Sequence, residues 1–139
     1  MPTPDELRAA IEEGREELRS ALRAASPDTW ETKPPAGDGE DSWSPRQAAE
    51  HVIGAELFFA TEVCTACGYP GVEMKRFSLE SPQDALAAFD EAAATAHGRL
   101  KYVSETDLAH KSERFNTDVA GVLGIHAHHL KEHAAQIQG

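Results

Sequence analysis

Hydrophobic residues recur at helical spacing in four stretches of the chain, and each stretch follows residues that can cap a helix. The first begins at Thr3, where Pro4 occupies the first helical position and Glu6 completes a capping box. Its apolar residues follow at steps of three, four and seven: Leu7, Ile11, Leu18, Leu22 and Ala25. Because this spacing places them on one face, the pattern predicts a helix that ends before Pro27.

The next two stretches show the same signals. The second helix is predicted after Ser44, with Pro45 and Gln47 in capping-box positions, and it runs to about residue 67, before a Gly-Tyr-Pro-Gly segment. The third helix is predicted after Ser81. Its apolar face comprises Leu86, Phe89, Ala93, Leu100 and Val103.

The fourth helix is predicted from residue 118 to about residue 138, with Asn116 or Thr117 as its cap. No window of four or more residues alternates strictly between apolar and polar positions, so no β-sheet is expected. The predicted fold class is therefore all-α, a four-helix bundle with helices of roughly 30 Å. The connections, at about 26–43, 68–81 and 104–117, are long for a simple up-and-down bundle. At least one of them is expected to cross over along the bundle.

Length, composition and charge narrow the class of protein. The chain has 139 residues, which fits a single domain over residues 1–139. Its 13 basic and 24 acidic residues give a net charge of −11, which argues against binding to nucleic acid. Apolar runs are far shorter than the roughly 20 residues of a membrane-spanning helix. Since the N-terminus also lacks the features of a secretory signal, we expect a cytoplasmic protein that does not contact membranes.

Histidine is the unusual residue, because four of the seven lie between residues 126 and 133. His129 and His133 are one helical turn apart, so they project from the same face. Imidazole is the commonest protein ligand of divalent transition metals, and a third ligand has to come from another helix. His51, beside the apolar face of the second helix, is the best candidate, and His97 is the reserve. The competing interpretation is that these are hydrogen-bonded core histidines.

Spacing argues against several better-known metal sites. No histidine has a glutamate three residues before it, as ferritin-like di-iron sites require. The His-Glu-x-x-His motif of zinc proteases is absent as well. A hemerythrin-like centre would need an acidic residue four positions after His51, where Ala55 stands. A single ion bound by three nitrogens remains.

Other conspicuous residues are expected to have structural roles. Cys64 and Cys67 have the C-x-x-C spacing of redox proteins, but the last turn of a helix disfavours a thiolate, so packing is the preferred interpretation. Trp30 and Trp43 are expected in the core at one end of the bundle. The stretch 12–23, with its alternating acidic residues and arginines, is expected to be a solvated helix face. Two charged residues of the second helix are candidates for proton transfer by position alone, and a solvated position is the preferred interpretation for both: Glu56 and Glu62.

Two motifs resemble those of the DinB-like (damage-inducible) superfamily. Residues 43–52, WSPRQAAEHV, are similar to the W-S-x6-H-aliphatic start of the second helix in that family. Residues 129–137, HLKEHAAQI, resemble its closing H-x3-H-x2-Q-I. Asp107 and Leu108 are similar to its D-L pair ahead of the fourth helix. The likeness extends over essentially the whole chain.

The resemblance implies an up-down-down-up four-helix bundle with a long crossover, often a homodimer. It also implies a divalent metal held by three histidines, here His51, His129 and His133. Some members are S-transferases or isomerases that use a low-molecular-weight thiol such as mycothiol or bacillithiol, and many have no known activity.

Three nitrogen ligands leave coordination positions open, which is typical of catalytic sites. A thiol or a water that enters such a position loses its proton more easily. The predicted function is a metal-dependent enzyme for a small-molecule substrate, an S-transferase that uses a thiol. The alternatives are a metal-dependent hydrolase and a non-catalytic, stress-related binding or dimerisation bundle with a vestigial metal site. Zn²⁺, Ni²⁺, Fe²⁺ and Mn²⁺ all suit imidazole, and Gln47 and Gln136 are candidates for orienting the rings.

Overall fold

Four long helices dominate the computed structural model, which describes residues 1–139. They are α1 (Pro4–Ala24), α2 (Pro45–Cys67), α3 (Pro82–Leu100) and α4 (Val119–Gln138). Short 3₁₀ helices lie in the connections, at Pro27–Thr29, Gly39–Ser42 and Thr106–Ala109. The predicted all-α four-helix bundle is confirmed. None of the helices combines the length and the apolar character that crossing a membrane requires.

The connection before α4 differs from the prediction. Lys111–Ser112 (β1) and Thr117–Asp118 (β2) pair as short antiparallel strands, and Asn116, in the left-handed region with φ 52°, turns the chain between them. Asp118 is the helix cap, since its Oδ1 accepts a hydrogen bond from the backbone nitrogen of Gly121 at 2.8 Å. The expected caps were wrong because pairing with β1 holds Thr117 in an extended conformation. Strands of two residues are too short to show alternation in the sequence.

Contacts at the helix ends define the directions of the helices. The Arg8 side chain donates to the carbonyl oxygens of Leu100 and Val103, so α1 begins where α3 ends. The backbone nitrogen of Leu79 donates to Glu50, which places the starts of α2 and α3 together. α4 packs against both α1 and α2. The start of α2 lies beside the end of α4, and the candidate site is at this end of the bundle.

Leucines of α1 and α4 and the many alanines of α2 and α3 form one continuous apolar core. Trp30 closes it at one end, where the side chain is buried and its Nε1 donates to the carbonyl oxygen of Leu79 at 2.9 Å. α1 and α4 pack closely at Gly14. A Cβ there would lie 2.9 Å from the Cβ of Leu130 and 3.1 Å from the carbonyl oxygen of Ala127.

Gly14→Ala is therefore expected to destabilise the fold, by about 1–3 kcal/mol, because the added methyl group forces α1 away from α4. Gly124→Ala is the matched control, since a Cβ at that interior position of α4 meets no atom within 4 Å. It is expected to stabilise the protein by about 0.5–1 kcal/mol through helix propensity alone. Urea unfolding measures both changes, and equal stabilisation by the two variants would contradict the close packing.

Candidate metal centre

Three histidine rings converge where the start of α2 meets the end of α4. The Nε2 atom of His129 lies 3.1 Å from that of His51 and 3.2 Å from that of His133. The ring centroids are 4.4–5.1 Å apart. His133 is buried, and the other two rings are progressively more exposed, so the cluster opens to solvent on the His51 side. The structure thus brings together the three residues that the sequence analysis selected, whereas His97 is exposed on α3.

The separation of these nitrogens fits a common ion. Two ligands at 2.0–2.1 Å from a tetrahedral zinc ion lie about 3.3 Å apart, and adjacent ligands of an octahedral ion lie about 3 Å apart. The observed 3.1 and 3.2 Å fall between these values. Without an ion, the Nε2 atom of His129 would have to take part in hydrogen bonds with both neighbouring rings at once, those of His51 and His133. A cation would instead accept one lone pair from each ring.

Gln136 sets the orientation of the buried ring. Its Oε1 accepts a hydrogen bond from His133 Nδ1 at 2.7 Å, while its Nε2 donates to the backbone carbonyl oxygen of Glu40. The second bond defines which end of the amide is the acceptor, so Nδ1 carries the proton and His133 Nε2 presents its lone pair to the cluster. Gln136 therefore makes the expected contact. Gln47 does not, because its side chain accepts from the backbone nitrogen of Ser44 in a capping box.

Burial favours the neutral, metal-binding form of two of the three rings. The pKa of His129 falls to about 3, because burial disfavours the imidazolium and the positive charge of His133 and His51 would repel it. Burial and the positive charge of His133 likewise lower the pKa of His51, against an opposing effect of Glu40. The lone pairs of these two rings are therefore available at neutral pH.

Comparison with known protein families supports this interpretation of the site. A family model described as the DinB superfamily matches residues 10–137. The chain belongs to the DinB superfamily. Proteins of this superfamily often bind metals, and in this member His51, His129 and His133 form a group that could hold one ion. A comparison with curated proteins gave no match, and neither did a comparison with solved structures.

Trp43 and Glu40 of this DinB superfamily protein also reach the cluster, from the loop between α1 and α2. The Trp43 ring lies 5.0 Å from that of His51 and stacks 6.3 Å from that of His133, so it covers the site besides packing on the core. The Glu40 carboxylate places one oxygen 3.6 Å from His133 Nε2 and the other 3.9 Å from His51 Nε2. Glu40 was not among the site residues predicted from the sequence, because no periodicity relates a loop residue to a helix face.

A buried ionic network joins α1, α2 and α4 within the bundle. Glu56 is completely buried and accepts a hydrogen bond from Arg15 Nε at 2.7 Å, and its other oxygen accepts from His126 Nε2. The expectation that Glu56 and Arg15 are solvated was wrong, whereas the acidic residues beside Arg15 are exposed, as expected of a solvated helix face. Arg15 lies one turn after Ile11 and Glu56 one turn after Val52, and this spacing on two apolar faces was the available signal.

The charges in this network stabilise one another. Burial alone would raise the pKa of Glu56, but the adjacent His126 and Arg15 outweigh it and hold that pKa well below its usual range. Phe59 connects the network to the cluster, since its ring stacks on His126 at 4.8 Å and meets the edge of His129 at 5.4 Å. His126 thus lies behind the three converging rings and is not one of them.

The two cysteines lie at the opposite end of α2 from the cluster. Both are free, and Cys64 is buried. Burial raises the pKa of Cys64, and burial together with Asp107 raises that of Cys67 to about 11. Both thiols therefore stay protonated at neutral pH, which disfavours redox chemistry.

The role of the ionic network can be tested with two substitutions on α2. Glu56→Gln is expected to lower the free energy of unfolding by about 3–5 kcal/mol, because Arg15 and His126 lose a buried charged partner. Glu62→Gln is the matched control, since Glu62 forms a surface pair with Arg114 at 3.1 Å. It is expected to cost less than about 1 kcal/mol. Urea unfolding at pH 7 gives both values. If Glu56→Gln lowers the free energy of unfolding as little as Glu62→Gln does, the network contributes little to stability.

Proposed function

We propose that this chain is a mononuclear metalloenzyme that binds one divalent transition-metal ion through the Nε2 atoms of His51, His129 and His133. The observation that carries the proposal is the convergence of these atoms at 3.1 and 3.2 Å. The hydrogen bond from His133 to Gln136, which presents a lone pair to the centre, adds to it. Zn²⁺, Ni²⁺, Fe²⁺ and Mn²⁺ all suit three imidazoles.

The reaction that we propose is transfer of a low-molecular-weight thiol to an electrophilic small molecule. A divalent ion with three protein ligands would favour the thiolate form of a thiol bound in an open position. In such a transfer the thiol loses its proton, its sulfur bonds to an electrophilic carbon, and the leaving group departs with the bonding electron pair. Membership of the DinB superfamily and the opening of the cluster at His51 support this class of reaction.

A cleft of about 690 Å³ beside His51 provides room for the two substrates. Phe58, Met74 and Phe77 give it an apolar wall, and Lys75 and Arg76 bring positive charge to it. Lys75 pairs with Glu91 at 3.1 Å, so Arg76 is the cation left for a carboxylate of a small anionic thiol. The apolar wall suits the electrophile.

Three further proposals accompany the function. The chain forms one domain over residues 1–139, it assembles as a homodimer, and it acts in the cytoplasm. The continuous core supports the first, and the other two rest on the sequence expectations and the family resemblance.

Metal content is the first test. Protein purified without a tag or added metal is expected to contain about one divalent transition-metal ion per chain, and His129→Ala is expected to remove most of it. His128→Ala is the matched control, because the neighbouring His128 is exposed and lies 3.5 Å from Glu132, away from the cluster. Elemental analysis measures all three proteins. Equal metal content in the two variants would contradict the proposed site.

Thiol transfer is tested with mycothiol, bacillithiol and glutathione against a chromogenic aryl halide. The metal-loaded protein is expected to accelerate conjugation with at least one of these thiols, and demetallated protein and His129→Ala are expected to show only the uncatalysed rate. Restoring the metal should restore the rate in the wild-type protein alone. If loaded and demetallated proteins react equally, the transferase proposal fails, and the binding-bundle or hydrolase alternative takes its place.

A further inference from the structure

Glu40 is the one carboxylate that faces two of the three converging histidines. Its two oxygens lie 3.6 and 3.9 Å from the Nε2 atoms of His133 and His51. It forms no ion pair with any lysine or arginine, although many acidic residues of the chain do. From this placement we infer that Glu40 is a fourth protein ligand of the ion. The inference deepens the proposed function and depends on it.

The distances agree with direct coordination. Two ligand atoms on a tetrahedral ion with bonds of 2.0–2.2 Å are separated by about 3.3–3.5 Å. The Glu40 oxygens lie a few tenths of an ångström beyond this separation from two of the three nitrogens. A small side-chain adjustment would close that gap, because the Glu40 side chain is about half exposed and has room to move.

The loop is built to hold Glu40 at this point. Glu40 belongs to the short helix Gly39–Ser42, whose turn is closed by a hydrogen bond from Ser42 Oγ to the carbonyl oxygen of Gly39 at 2.6 Å. Its own backbone carbonyl oxygen accepts from Gln136, the residue that also orients His133. Trp43, three residues after Glu40, packs on the rings of His51 and His133. Backbone contacts therefore fix the loop, and the carboxylate remains available for an ion.

Charge also favours this role. Three neutral imidazoles offset none of the charge of a divalent cation, and a carboxylate would offset half of it. Glu132 is the other carboxylate near His133, but it lies on the exposed side of α4 and pairs with His128 at 3.5 Å. With Glu40 bound, a tetrahedral ion has no open position, so a thiol would bind by expanding the coordination to five.

Cobalt(II) binding tests the inference directly, because its visible absorption depends on the atoms bound to it. We compare the wild-type protein with Glu40→Gln and Glu40→Ala. Both substitutions are expected to weaken Co²⁺ binding by at least about tenfold, the effect that loss of an outer partner of a metal ligand already causes. Both are also expected to change the wavelength or intensity of the Co²⁺ bands. Asp41→Asn removes a charge from the same turn and Glu132→Gln removes the other nearby carboxylate, and both should leave the spectrum unchanged.

The outcomes separate the two proposals. If the wild-type protein binds no Co²⁺, or His129→Ala binds it as well as the wild type does, the three-histidine site itself fails. If binding requires His129 but the Glu40 variants keep the wild-type spectrum, only the fourth-ligand inference is overturned, even where affinity falls. If the affinity falls while the spectrum stays unchanged, the Glu40 carboxylate acts through its charge alone. Circular dichroism verifies that each variant is folded.

Discussion

The antiparallel contact between the start of α2 and the end of α4 is the constraint on which the whole site depends. It is here that His51 from one helix meets His129 and His133 from the other, and a shift of a single turn would separate the nitrogens by more than 5 Å. Gln136 secures the contact from outside, because one amide group binds both a histidine ring and the loop that precedes α2.

A second set of interactions secures the same contact from inside the bundle. Arg15, Glu56 and His126 connect three helices, and none of these residues could be paired if one helix slid along another. Buried ionic groups are costly to desolvate, and apolar residues often stabilise a core at least as well. We therefore interpret the network as a device that fixes helix register beneath the histidines, with Phe59 filling the space between the two groups.

The parts of the molecule that could be predicted from sequence are those encoded locally. Caps and helical spacing are properties of short segments, so the four helices were predictable, and so was the shared face of His129 and His133. His51 was selected from its position beside an apolar face of the second helix, and the family motif agreed with that choice. Glu56 was misinterpreted because its partners lie 41 and 70 residues away, on helices whose packing no local pattern specifies. Glu40 lies in a loop, where position follows from contacts with α4 and not from any repeat.

Anomalous X-ray scattering from crystals of metal-loaded protein would show whether one ion binds all three histidines. A single strong peak per chain is expected, within about 2.0–2.2 Å of the Nε2 atoms of His51, His129 and His133. A map without that peak, or one in which the ion lies elsewhere while these rings turn to solvent, would contradict the binding of a common ion.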